Sequence, residues 1–177
     1  MTTTAAPASP ATATPSQLMF ADLPTEFATT RRLLARVPAD KADWKPHAKS
    51  MSLGRLAAHV AELPGFAMAI ISADELDFAK GQYVPVPFDS TEQVLAVFDE
   101  RSAKMQAVVD GADWEALAKP WTLRSGDHVI LQGQKGTLLR SLGMSHIAHH
   151  RGQLAVYLRL LDVPVPAIYG TSADEAM

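Results

Sequence analysis

Cysteine is absent from the 177-residue chain. Its absence removes disulfides, thiolate nucleophiles and cysteine-type zinc sites together, and leaves histidine and carboxylate as the strong metal ligands. Any thiol chemistry must use a thiol from outside. A cationic block is missing too: the sixteen Lys and Arg are scattered and the formal net charge is −3, so nucleic acid is not an expected partner. Long apolar runs are lacking, and the longest, Phe66 to Ala73, is far too short to span a bilayer, so no membrane partner is expected. Residues 1–16 hold only Thr, Ala, Pro and Ser after the Met. They offer neither the charge nor the apolar stretch of a signal peptide, and no arginine of a transit peptide precedes Arg31. They read as a disordered tail rich in Thr, Ala and Pro that buries too little surface to offset its ordering entropy, and a cytoplasmic location follows by exclusion. What remains, 47% apolar and 20% charged, is globular composition at single-domain size, predicted to span residues 17–170 before a C-terminal tail, 171–177.

Four segments carry helical periodicity. From Ser16 to Val37 the residues Phe20, Leu23, Phe27, Leu34 and Val37 recur at helical spacings. Pro24 either starts that helix, with Asp22 or Leu23 near its cap, or bends it. Pro38 to Ser50 has no period and reads as a connector packed through Trp44. Ser52 suits an N-cap, and Leu53, Leu56, His59, Val60, Leu63, Phe66, Ala67 and Ile70 form one stripe interrupted by a kink at Pro64 and Gly65. After a Pro-rich loop, about residues 77–89, Ser90 and Gln93 fit a capping box. The third helix then buries Val94, Phe98, Met105, Val108 and Val109, and Gly111 ends it where a left-handed residue is wanted. Trp121-Thr122-Leu123 and Val129-Ile130-Leu131 flank Ser125-Gly126-Asp127, the pattern of a short hairpin lying across the bundle. The last helix runs from about Lys135 to Leu161, with Leu139, Leu142, His146, Ile147, His150, Leu154, Tyr157 and Leu161 on one side, and Pro164 and Pro166 forbid its continuation. The expected fold is all-α, a four-helix bundle with a short β-hairpin before the last helix.

The chemistry lies in the histidines. His146 and His150 are four apart and so share a helix face, a spacing that suits two ligands of one metal. A zinc-protease reading is disfavoured, because no glutamate follows the first histidine. A lone histidine on an apolar face is more often hydrogen-bonded core than ligand. Here, however, His59 sits in a second apolar stripe, and burying three imidazoles without partners would cost a few kcal/mol each. One divalent cation shared by His59, His146 and His150 resolves that cost. Three imidazoles leave a position open for water or substrate, as in catalytic sites. Imidazole suits zinc, nickel, copper and iron, and zinc leads on availability and geometry. His149 points off the seam and reads as a packing or surface residue. Glu62 and Gln153, each three residues after a proposed ligand, would orient an imidazole or the bound water, or else be solvated helix residues. Arg151 reads as a surface or interface ion-pairing group, and His47 and His128 as loop residues.

The run Trp44-Lys45-Pro46-His47, then Ser50 to Gly54 and His59, with Ser145-His146-Ile147-Ala148-His149-His150-Arg151-Gly152-Gln153-Leu154 near the end, resembles the DinB/YfiT-like metal-binding proteins over about residues 16–170. The resemblance implies a four-helix bundle with a three-histidine site at His59, His146 and His150, and a homodimer in a bacterial cytoplasm. It also implies metal-dependent activity in some members: transfer reactions using low-molecular-weight thiols such as bacillithiol or mycothiol, or hydrolysis.

Three functions follow as expectations. In a thiol-dependent S-transferase, the metal lowers the pKa of an external thiol beside a small-molecule electrophile. In a metal-dependent hydrolase, water attacks an ester, amide or epoxide with Gln153 or Glu62 steering it. A stress protein that binds metal or a small ligand without turnover is the third.

Overall fold

The computed structural model describes residues 13–81 and 83–176. Of the tail expected over residues 1–16, residues 1–12 lie outside the described residues, whereas Thr14 and Ser16 belong to the fold. Thr14 caps α1 (Pro15–Met19) in a reciprocal box with Gln17, and the Ser16 hydroxyl donates to the Ala112 carbonyl at 2.8 Å. Pro24 starts a helix: α2 is Leu23–Leu34 with Asp22 at its cap. Asp22 makes no capping bond there and instead pairs with Arg140 at 3.0 Å.

The break at Pro64 is complete, giving α3 (Leu53–Glu62) and α4 (Gly65–Ser72). Ser52 caps α3 through the Arg55 amide. Ser90 likewise caps α5 (Thr91–Gly111) through the Gln93 amide, but the reciprocal half of the box is missing, because the Gln93 side-chain oxygen is buried without a partner among the described residues. Gly111 has no positive φ, contrary to expectation. The helix ends because Ala112 turns extended and is held there by Ser16.

A short α6 (Trp114–Ala118) precedes β2 (Pro120–Ser125) and β3 (His128–Gln134), the expected hairpin. Gly126 in its turn has φ 57, the left-handed conformation that a side chain disfavours. A strand that the sequence reading assigned to no element, β1 (Glu75–Asp77), pairs parallel with β2, so the sheet has three strands in the order β1-β2-β3. Opposite Leu123 and Arg124, β3 presents Leu131 and Val129, so Ile130 is an extra residue, a bulge. The Asp77 carboxylate accepts from the Gly126 and Ala79 amides at 3.0 and 2.9 Å and ties β1 to the hairpin turn.

The last helix is α7 (Lys135–Leu138), a π-helical stretch Leu139–Ser145 and α8 (His146–Leu160) in one run. The bundle consists of α2, α5, α3 with α4, and this run, with α2 and α3 each packed against both α5 and α8. Two apolar clusters fill it. One, at the sheet end, joins Leu23, Ile70, Met105, Trp121 and Leu139; the other joins Leu34, Leu56, Val60, Phe98 and Leu158. Trp44 packs on the second, edge-on to Tyr157 at 5.6 Å. On the last helix the histidines fall between Met144 of the first cluster and Leu154 of the second. No helix among the described residues is long and apolar enough to cross a membrane.

Candidate metal centre

His59 lies in the last turn of α3, and His146 and His150 occupy the first two turns of α8. Because α3 packs directly on α8, the three rings meet. Their centroids are 5.3 Å apart for His59 and His146, 4.5 Å for His59 and His150, and 4.7 Å for His146 and His150. One nitrogen from each lies within 4.8 Å of the other two. His47, His128 and His149 take no part in this cluster.

The hydrogen bonds assign the tautomers. Nδ1 of His59 faces a carboxylate oxygen of Glu62 at 2.8 Å, and Nδ1 of His150 faces the side-chain oxygen of Gln153 at 2.7 Å. Both acceptors require a proton on Nδ1, so in the neutral form of each ring the lone pair is on Nε2. Gln153 is oriented in turn by its amide nitrogen, 3.2 Å from Nε2 of exposed His149. Nε2 of His146 and Nε2 of His150 stand 2.9 Å apart. A lone pair aimed at a second ring nitrogen at that distance needs an electrophile between them, either a proton or a cation. Two nitrogens each about 2.0–2.1 Å from a common ion are separated by about 2.9 Å at a right angle and about 3.3 Å at the tetrahedral angle, so the pair fits a shared metal. Burial, then the neighbouring imidazoles, lowers the pKa of His146 to about 4, and burial lowers that of His150 as well. Both rings are therefore neutral, the form that binds metal. Nδ1 of His146 is buried with no partner among the described residues.

Glu62, which from sequence would either orient an imidazole or the bound water or be a solvated helix residue, is 1% exposed. One of its oxygens accepts from His59, from Arg55 at 2.8 Å and from the Tyr83 hydroxyl at 2.5 Å; the other accepts from the Val86 amide at 2.9 Å. Burial alone would push this carboxyl up, but the donors from His59, Tyr83, Val86 and Arg55 outweigh it and bring the pKa to about 2. Glu62 is thus a fixed anion behind His59, the carboxylate–histidine pairing found behind metal ligands. Arg55 and Tyr83 escaped the sequence reading. Arg55 was open to discovery, since it lies four residues before His59 on the same helix face, whereas Tyr83 sits in an aperiodic loop. Arg151 is a correction: it is an ion-pairing residue but 1% exposed, bound to Glu26 at 2.7 Å and to the Thr30 hydroxyl at 3.1 Å, so it joins α8 to α2 in the interior.

Comparison with known proteins adds what the chain is similar to. The model of the DinB family matches residues 11–177. The chain is 31% identical over 159 residues to the uncharacterized protein YrdA of Bacillus subtilis (strain 168), covering 85% of each. Two crystal structures share the fold. One is a DinB-like protein of Bacillus subtilis, YjoA, with a TM-score of 0.61 and 20% identity over 83% of this chain and 95% of that one. The other is a putative DinB-family member from Exiguobacterium sibiricum 255-15, with a TM-score of 0.62 and 24% identity over 85% and 95%.

Proposed function

The chain belongs to the DinB family, and from that premise we propose that it is a metal-dependent S-transferase. In this reading His59, His146 and His150 hold one divalent ion, zinc first among the candidates, and an external low-molecular-weight thiol and a small-molecule electrophile are the substrates. The observation that carries the metal is the outward anchoring of two imidazoles, His59 on Glu62 and His150 on Gln153, which leaves their Nε2 lone pairs for a common ion. Such an ion supplies Lewis acidity that lowers the pKa of a thiol bound to it.

The chain's own residues favour a thiol over water. A metal brings bound water only to a pKa of about 7, so hydrolysis gains from a protein base that takes the water proton. Glu62, the carboxylate behind the cluster, has a pKa of about 2 and four donors on its oxygens, so it holds His59 and accepts no proton. Gln153 has no basic group. A thiol needs no such base, since it loses its proton readily once its pKa falls. A homodimer is part of the proposal, and Val156 and Leu160, four apart on α8 and 58% and 57% exposed, offer an apolar strip for it. Light scattering that gives a monomer mass would remove that part.

The test is metal content, followed by turnover. Wild-type protein should bind one ion per chain, and His59→Ala, His146→Ala and His150→Ala should each lose it. A panel of thiols with a generic electrophile should then yield product only when thiol and metal are both present. Product formed from water without thiol would replace this reading with the hydrolase, and stoichiometric metal with no turnover in either panel would replace it with a binding protein.

A further inference from the structure

Beside Glu62 a cleft of about 490 Å³ opens between α4, α5 and the connection that carries β1, with none of His59, His146 and His150 on its walls, a size within the range of small-molecule sites. Its apolar wall is Phe66, Ala69, Leu76 and Val97, and Tyr83 extends that wall by stacking on Phe66 at 6.2 Å and 26°. The polar groups on the wall are unevenly matched. Glu62 and the Tyr83 hydroxyl are engaged with each other and with Arg55, and Glu100 pairs with Lys104 at 2.5 Å. Arg101 is different. Its Nη1 donates to the Glu62 carbonyl at 3.1 Å, an acceptor left over where α3 stops; Glu100 is near enough to feel its charge, but no carboxylate among the described residues forms an ion pair with it. Gly65 is what lets it lie there: a Cβ at that position would stand 3.1 Å from Nη1 and 3.3 Å from Cδ of Arg101. Capping α3 uses one N–H of the guanidinium, and Arg101, a wall residue of this mixed cleft, keeps the other donors of its planar fork.

We propose that this cleft binds a small organic anion, a carboxylate on an apolar or aromatic body. The carboxylate lies on Arg101, where a planar fork of N–H groups matches its two oxygens. The body lies against Phe66, Ala69, Leu76 and Val97. The site does not depend on the histidine cluster or on a metal there.

The probe is naphthoate, titrated by fluorescence into wild-type protein, with naphthalenemethanol as the uncharged counterpart. Arg101→Met should weaken naphthoate by about tenfold or more and leave naphthalenemethanol unchanged. Ala69→Phe, which fills the cleft without touching the cation, should weaken both probes; circular dichroism establishes that each variant is folded. Should Arg101→Met fail to fold, Arg101→Gln takes its place with the same expected split between the two probes. Chelated His146→Ala protein should bind naphthoate as wild type does. No naphthoate binding by wild type, or binding that survives either cleft variant undiminished, overturns the proposal. So does binding lost only in His146→Ala, which would put the anion on the histidines and leave the metal reading standing.

Discussion

Replacing Glu62 with Gln alters one atom of a buried residue whose two oxygens serve four donors. With the amide oxygen kept toward Arg55, His59 and Tyr83, the new NH2 group faces the Val86 amide, donor against donor; flipped, it faces three donors instead. Either arrangement leaves a buried donor unmatched and removes the charge that strengthens the other bonds. The size of the effect follows from the carboxyl itself. A fall in pKa from 4.5 to about 2 on folding corresponds to roughly 3 kcal/mol of stabilisation of the anion. In a domain of this size, that much lost stability lowers Tm by roughly 6–12 °C. Because the folded pKa is the lower one, the contribution is complete above 4.5 and disappears as pH falls toward about 2. The assay is thermal unfolding of metal-free wild type and Glu62→Gln across that range, taken as a difference so that other titrating groups cancel. The gap should be widest near neutrality and close on acidification. Metal affinity, measured by competition with a chelator, should fall by about 10–100-fold. Equal Tm at neutral pH, or a gap that stays constant down to acid pH, would refute the assignment of Glu62 as the buried anion behind His59.

Three further outcomes are expected. His149→Ala should retain stoichiometric metal but bind it more weakly by about tenfold or less, because Gln153 loses the partner that orients it toward His150; loss of the ion would make His149 a ligand. Gly54→Ala should cost about 1–3 kcal/mol in denaturant unfolding, since the new Cβ would sit 2.9 Å from the Phe88 ring. Gly143→Ala should cost less, because it meets only the flexible tip of Met105, and equal effects would contradict that ranking. Asp174, through Arg159 and the Val165 amide, and Glu175, through the Ala167 amide and Arg32, are held below their ordinary values of 3.8 and 4.5. The carboxyl-terminal segment should therefore stay docked above those values and loosen as pH falls beneath them. Faster amide exchange at Val165 and Ala167 would register the loosening, and unchanged exchange would refute it.

The bundle was legible because its helices carry their stripes in ordinary residues. Leu53, Leu56 and Val60 on α3, and Val94, Phe98 and Met105 on α5, are all buried as their spacing predicts. The failures came where tertiary contacts override a local signal. Glu75–Asp77 is too short for alternation to register, and it becomes a strand because β2 offers an edge and Asp77 closes on the hairpin turn. Gly111 carries a helix-stop signal, but the stop is set by a hydroxyl from the distant amino-terminal segment.

The histidine pair was readable for a reason that the last helix nearly concealed. The π-helical stretch from Leu139 to Ser145 breaks the 3.6-residue period, so the stripe drawn through Leu142 does not continue as drawn. Leu139, Gly143 and Met144 take the buried positions there, and Leu142 is only partly buried. The stretch ends at Ser145, and from His146 onward the helix is regular α. His146, His150 and Gln153 therefore keep the i, i+4 and i+3 relations on which the reading depended. The depth of Glu62 has the opposite origin. Its place in sequence, three after His59, allowed either a solvated face or a partner for the ring. The choice was made by Arg55 on the same helix and by Tyr83 and Val86 from a connection without periodicity, and together these bury the carboxylate and keep it charged. A ligand set on two helices can be found from spacing alone, but the groups that hold those ligands in one tautomer come partly from loops, where spacing carries no information.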